Sequence, residues 1–132
     1  MDIKEFAEKF IKAEEEAWQN GNLEPLEQLE AADIVIHKIP PVAGWEAHKQ
    51  EIEYGRQMFS VMTQKWEYLT GDGNVFALSF DQKYKLKVAV KWPDIGVSIP
   101  DGGTISIDSI WVLRVDTGKI VEGWAKGSYE VQ

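Results

Sequence analysis

The last third of the chain, from Thr104 to Val131, predicts two strands joined by a tight turn at Asp116-Thr117-Gly118. Apolar residues occupy both alternating faces of the first strand. A strand with one face in water alternates apolar and polar residues, whereas a strand that is apolar on both faces is buried on both. This strand therefore needs a second partner on its outer face. Its apolar residues are Ile105, Ile107, Ile110, Trp111, Val112 and Leu113.

The partner strand carries very small residues at alternating positions: Gly123, Ala125 and Gly127 follow Val121 on one face. Such a row leaves space beside the sheet. That space can hold a ligand, or it can accommodate the bulk of Trp111 or the first helix, since protein interiors contain few voids.

The length and composition predict one domain over residues 1–132, large enough to form a hydrophobic core. There is no Cys, which excludes disulfides and thiolate chemistry. The net charge of −8 disfavours nucleic acid and anionic membranes as partners, because both need a positive surface. No apolar run approaches about 18 residues and the N-terminus does not have the pattern of a signal peptide, so we expect a cytoplasmic protein.

The first half of the chain predicts helices at residues 2–20, 23–30 and 45–59, with a short strand at 33–39 between the second and third. In the first helix, Ile3, Phe6 and Phe10 recur at spacings of three and four, and Asp2 is a suitable N-cap. The acidic run at 14–16 is interpreted as the helix surface.

The second half predicts strands. Residues 61–70 and 74–80 flank a Gly-Asp-Gly turn, which is typical of a hairpin. From Tyr84 to Trp92 apolar residues alternate with lysines, as in a half-exposed strand. Whether this stretch continues the preceding strand through Asp81 or follows a turn is open, and residues 93–103 are predicted as a loop.

Helices followed by antiparallel strands indicate an α+β fold. We expect a cone-shaped, strongly curved antiparallel sheet wrapped around three N-terminal helices, with a cavity between the two layers. A second copy of the same sheet is the simplest partner for the apolar outer face, so we expect a homodimer formed through that face.

Three segments resemble the nuclear-transport-factor-2-like superfamily, most closely the SnoaL-like polyketide cyclases and the ketosteroid isomerases. Residues 21–37, GNLEPL running to AADIVIH, look like the family's entry motif. The second segment is Pro40 to Gly44, followed by a helix. The third is RVDTGKIVEGW, at residues 114–124. The resemblance covers nearly the whole chain and implies a cone-shaped pocket, but this fold hosts enzymes and binding modules alike.

The family's catalytic groups are mostly replaced in this chain. The position of the ketosteroid isomerase tyrosine falls on Glu14, that of its general-base aspartate on Lys38, and that of its hydrogen-bonding aspartate on Trp111. The acid of the cyclases falls on Ala125. His37 matches a histidine often found at the end of the first strand in SnoaL-like sequences. A shift of one residue would reverse the face on which His37 lies.

His37 is therefore the candidate catalytic residue, since a histidine near a pocket mouth exchanges protons near neutral pH. The alternative is a surface histidine. His48 is interpreted as a half-buried helix residue. His37 and His48 with Glu46 or Glu51 are an alternative metal site, but no two of them share an H-x₃-H or H-E-x-x-H spacing, so we expect neither a metal nor a cofactor. The predicted ligand-binding residues are Trp18, Tyr54, Met58, Trp66, Trp111, Gly123 and Ala125.

Three functions are consistent with these residues. The first is an isomerase, cyclase or hydrolase acting on a small apolar or aromatic molecule through His37. The second is a non-catalytic module that binds such a molecule, which the missing carboxylates favour. The third is a dimerisation platform whose cone is filled by side chains.

Overall fold

In the computed structural model of the protein, residues 1–92, 97–100 and 102–131 are described. They form three helices: α1 at Ile3–Asn20, α2 at Glu24–Leu29 and α3 at Trp45–Met58. The Asp2 carboxylate accepts hydrogen bonds from the backbone N–H groups of Lys4 and Glu5, which confirms the predicted N-cap of α1. Gly21 ends the helix with φ of 74°, a left-handed conformation that glycine adopts readily.

The strands of the described residues form one curled six-stranded sheet and one small two-stranded sheet. The order in the larger sheet is β2-β1-β8-β7-β4-β3, and the α+β half-barrel that it forms around the helices confirms the predicted fold. One pair, β1 with β8, is parallel, so the sheet is mixed and not wholly antiparallel as predicted. The strands are β1 Glu30–His37, β2 Val42–Ala43, β3 Phe59–Asp72, β4 Val75–Leu86, β5 Val90–Trp92, β6 Val97–Ile99, β7 Thr104–Asp116 and β8 Lys119–Val131.

Several predicted boundaries were wrong. Glu30 opens β1 and does not belong to the second helix. β4 runs unbroken past Asp81, paired with β7 from Val75 to Lys85, which settles the question left open there. The strand predicted to reach Trp92 stops at Leu86, where backbone hydrogen bonds to the 102–103 turn redirect the chain. The predicted loop at 93–103 contains β6, and its residues 93–96 and 101 lie outside the described part.

The core lies between the helices and the inner face of the large sheet. Ala7, Phe10 and Ala17 of α1 are buried against Phe76 of β4 and Leu113 of β7, so the spacing that predicts the helix also directs its apolar side inward. No helix among the described residues is long and apolar enough to cross a bilayer.

The two faces of β7 have different surroundings. Ile105, Leu113 and Val115 are buried on the inner face, whereas Ile110 on the outer face is 47% exposed. The inner face packs on its own domain, as the apolar pattern indicates, and the outer face has no cover within the described chain.

Candidate functional site

A cavity of about 890 Å³ lies between α1, α3 and the inner face of β3, β4, β7 and β8. This volume falls in the range of small-molecule sites. The cone is therefore not filled by side chains. The predicted residues that border the cavity are Trp18, His37, Tyr54, Met58, Trp66, Trp111 and Ala125.

Gly123 does not border the cavity, although it was predicted to bind ligand. A Cβ atom at this position would lie 2.6 Å from Cδ2 of Leu113, so the space beside Gly123 is occupied by a core side chain. A Cβ atom at Gly127 would clash with the backbone oxygen of Asp108. These small residues serve packing and close strand approach, whereas Ala125 lies opposite Trp111 and leaves room for the cavity.

Two groups of aromatic side chains border the cavity. In the first, the Trp66 and Phe80 ring centroids are 3.6 Å apart, and Phe80 and Trp111 are near-parallel at 6.4 Å. In the second, Phe59 and Tyr84 stack at 4.0 Å, with Trp18 at 6.3 Å from Tyr84. Such walls bind flat apolar ligands through their faces.

A buried cluster of ionisable residues borders the same cavity through Glu14 of α1 and His48 of α3. Glu14 is 2% exposed, so the interpretation of residues 14–16 as helix surface was wrong for its first residue. The missed signal is its spacing: Glu14 follows Phe10 by four and precedes Ala17 by three, which places it on the apolar side of the helix. His48 is 3% exposed, more deeply buried than predicted.

Hydrogen bonds fix this cluster in one arrangement. Nδ1–H of His48 donates to Oε1 of Glu30 at 2.7 Å, and Nε1–H of Trp18 donates to Oε2 of Glu14 at 3.1 Å. The other imidazole nitrogen, Nε2, lies 3.8 Å from Oε1 of Glu14, too far for a direct hydrogen bond. Oε1 of Glu14 has no hydrogen-bond partner among the described residues.

Burial and neighbouring charge shift the pKa values of the cluster. Burial raises the pKa of Glu14 to about 7; the His48 charge opposes this rise and the Glu30 charge adds to it. Burial alone would lower the pKa of His48, but the charge and hydrogen bond of Glu30 outweigh it and raise the value to about 9. At neutral pH the protonated imidazole of His48 is therefore paired with Glu30, and the carboxyl group of Glu14 is about half ionised.

Glu14, Glu30 and His48 are also positioned to share a metal ion, since their ligand atoms lie within 4.8 Å of one another. An imidazole with two carboxylates suits a divalent transition metal. The 2.7 Å hydrogen bond already engages Nδ1 of His48, however, and an ion would have to displace it.

His37 borders the cavity, but its imidazole is engaged elsewhere. Nε2–H donates to Oε2 of Glu122 at 2.7 Å, and the ring stacks on Trp124 at 5.6 Å. Glu122 and Trp124 flank the buried Gly123 and so lie on the outer face of β8. Hydrogen bonds from His37 and Arg114 lower the pKa of Glu122. The contacts of His37 thus direct its ring to the outer face of the sheet. A shift of one residue in the resemblance would place His37 on this face.

Comparison with known proteins places the chain in a family. The sequence model of a protein family described as the SnoaL-like domain matches residues 9–123 of the chain. The chain belongs to the SnoaL-like family. No curated protein sequence matches this SnoaL-like domain significantly.

Solved structures share the fold of this SnoaL-like domain. AclR from Streptomyces galilaeus superposes with a TM-score of 0.72 at 20% identity, over 96% of this chain and 91% of that chain. TsrD from Streptomyces laurentii gives 0.77 at 11% identity, over 93% and 88%. IdmH from Streptomyces antibioticus gives 0.67 at 20% identity, over 97% and 93%. These identities establish the shared fold alone.

Proposed function

We propose that this SnoaL-like domain binds a small apolar or aromatic molecule in its cavity and transfers a proton on it, as an isomerase, cyclase or hydrolase. One observation carries the proposal: a buried carboxyl group, Glu14, with one oxygen lacking a hydrogen-bond partner among the described residues, borders a cavity with aromatic walls. Two of the similar structures carry provisional assignments, as a hydroxylase and as a polyketide cyclase.

Glu14 is the proposed acid-base group. A carboxyl with a pKa of about 7 accepts a proton and returns it at neutral pH with little energy penalty in either direction. Glu30 holds His48 with Nε2–H directed toward Glu14, so the imidazolium stabilises the carboxylate when the proton leaves. The environment raises the pKa of Tyr84 well above its usual value, chiefly through burial, so this phenol stays protonated and is a hydrogen-bond donor at the same cavity.

The proposed position of the ligand's reacting oxygen is beside the two facing groups, Glu14 and His48. Nε2 of His48 and Oε1 of Glu14 are 3.8 Å apart, so a single oxygen atom can lie about 2.8 Å from each and form a hydrogen bond with both. Because both residues are almost fully covered, a ligand reaches this position only with a local shift of the side chains that border the cavity. The bound ligand would itself exclude water from the reaction.

The test compares three variants against a panel of enones, lactones and epoxides with apolar rings. Glu14→Gln keeps the shape of the side chain and removes its proton exchange, so we expect turnover to fall by about 100-fold or more. Glu8→Gln, on the exposed side of the same helix, is the matched control. His37→Ala tests the sequence-based prediction, and we expect it to retain turnover. Unchanged turnover in Glu14→Gln would contradict the proposed role.

The second candidate is a binding module without catalysis. It is favoured by the absence of carboxylates at three positions where relatives resembling this chain have them, here Lys38, Trp111 and Ala125. Saturable binding without turnover of any panel member, unaffected by Glu14→Gln, would support it.

We further propose that the protein is a homodimer formed through the outer face of the sheet. Val35, Ile110 and Trp124 are apolar and exposed there by 37%, 47% and 40%. A second copy of this face would bury these side chains, and a two-fold axis would match each patch with itself.

A further inference from the structure

The charge of the cavity lining differs from that of the whole protein. The chain has 14 basic and 22 acidic residues. The lining includes two lysines and two acids, one of them Glu14 with a pKa of about 7, whereas the ring of His37 is directed to the outer face of the sheet. The charges along the cavity are thus close to balanced in an acidic protein, because Glu51 pairs with Lys38 and Glu30 pairs with His48. The ionisable residues that border it include Lys38, Lys126, His37, His48, Glu14 and Glu51.

Lys38 is half-buried and is the less exposed of the two lysines. It directly follows the end of β1, and its side chain is 14% exposed. Nζ lies 3.0 Å from both carboxylate oxygens of Glu51 on α3. An ammonium group has three donors, and one carboxylate engages at most two of them in this geometry. Within the described residues, Nζ therefore has a donor left for a further acceptor.

The lining has a polar end on each side of its aromatic walls. Ile39, Pro40 and Tyr54 border the cavity and are exposed, so Lys38 lies near the mouth. Glu14 and His48 are covered and lie deep. A flat ligand that spans the cavity would place one end near Lys38 and its other end near the buried cluster.

We propose that the ligand is an apolar aromatic or alicyclic acid whose carboxylate binds Lys38 at the mouth of the cavity. The inference rests on the proposed function, because it names the chemical class of the molecule bound there. Glu51 is the internal partner that holds the ammonium in place and competes with the ligand for its donors. A charge-assisted hydrogen bond in a partly desolvated site discriminates strongly between an acid and its neutral ester.

A cationic ligand is disfavoured by the same residues. An amine bound at the mouth would approach the ammonium group of Lys38. The acid at the mouth, Glu51, is already paired with Lys38 at 3.0 Å. Aromatic walls favour cations in other proteins, but here the mouth presents an ammonium whose neighbouring carboxylate is already paired with it.

The test uses three probes with one ring system: 2-naphthoate, methyl 2-naphthoate and 2-naphthylmethylammonium. Binding is measured by isothermal titration calorimetry at pH 7.5 and 0.15 M salt. We expect the acid to bind about tenfold more tightly than the ester, and the amine most weakly. Lys38→Gln should remove the preference for the acid and leave the affinity for the ester unchanged, which also shows that the variant is folded.

Two further variants sharpen the assignment. Glu51→Gln removes the competing carboxylate and should tighten binding of the acid several-fold, again without effect on the ester. Lys83→Gln changes the net charge by the same amount as Lys38→Gln but is exposed on the outer face of β4, so it should change neither affinity.

The outcomes separate this inference from the proposed function. Equal affinity for acid and ester, tightest binding of the amine, or loss of the acid preference in Lys126→Gln but not in Lys38→Gln would overturn the inference and leave a ligand-binding cavity intact. If none of the three probes binds at millimolar concentration, the proposed binding function fails, and the inference fails with it.

Discussion

Replacing Glu14 by Gln should stabilise the protein at alkaline pH. In the folded state the pKa of Glu14 is about 7, against an ordinary value of 4.5. Between these two values the folded chain keeps a proton that the unfolded chain has released, so the free energy of unfolding falls as pH rises. The rise in pKa, at about 1.4 kcal/mol per pH unit, corresponds to a loss of about 3 kcal/mol, complete above pH 7.

The glutamine side chain in the Glu14→Gln variant would have the same shape, stay neutral and still accept the hydrogen bond from Trp18, so the variant avoids this loss. Part of the gain is offset, because ionised Glu14 is one of the charges that raise the pKa of His48. We therefore expect Glu14→Gln to exceed wild type by about 1–3 kcal/mol at pH 8 and to match it near pH 4.5. A stability gain that accompanies loss of turnover is typical of a functional residue.

The assay is urea unfolding followed by tryptophan fluorescence, at intervals from pH 4.5 to 8.5, with equal m-values as the test that the unfolded states are comparable. Glu8→Gln is the control and should stay within about 0.5 kcal/mol of wild type throughout. A difference between Glu14→Gln and wild type that is no larger at pH 8 than at pH 5 would show that burial does not hold the proton on Glu14. The proposed proton transfer would then lose its basis.

Three other changes test separate parts of the structure. Glu30→Gln removes the charge and hydrogen bond that raise the pKa of His48 from 6.5 to about 9, so it should lower the free energy of unfolding by up to about 3 kcal/mol below pH 6.5. In urea unfolding this deficit should shrink between pH 6.5 and 9 and be absent above pH 9; a deficit constant with pH would contradict the assignment. Gly123→Ala should lower the free energy of unfolding by about 1–3 kcal/mol, because the added methyl group crowds Leu113, and it should leave ligand affinity unchanged. A loss of affinity in calorimetry would show that Gly123 belongs to the binding site. Ile110→Lys should convert the proposed dimer to a monomer in light scattering, with little change in melting temperature. A wild-type protein that is already monomeric, or a variant that stays dimeric, would refute the proposed interface.

The parts of the fold that the sequence predicts correctly are those with strong local patterns. The three- and four-residue spacing of Ile3, Phe6 and Phe10 yields α1, and the apolar first strand of the closing hairpin yields β7. Boundaries were less accurate where tertiary hydrogen bonds decide them, as at Leu86, whose backbone bonds to the 102–103 turn end β4. The small β5–β6 sheet was missed because a three-residue strand has too few alternations to form a pattern.

The candidate site was predicted in part. The aromatic walls follow from the abundance of tryptophan on inward-facing strand positions, such as Trp66 and Trp111. The direction of His37 does not follow, because a strand reverses the face of a side chain with each residue, and only the pairing with Trp124 fixes it. Glu14 was overlooked because two further glutamates follow it and make the run resemble a solvated helix surface.

The sequence by itself determined the α+β class, the order of helices and hairpins, and the family. Periodicity and motif spacing are local properties, so they can be recognised from the sequence without a structure. The tertiary structure alone decided which ionisable residues lie together. Glu14, Glu30 and His48 lie on three different elements, and only folding removes them from water and brings their ligand atoms within 4.8 Å. A raised pKa arises from burial and from neighbours distant in sequence, and no local pattern encodes either.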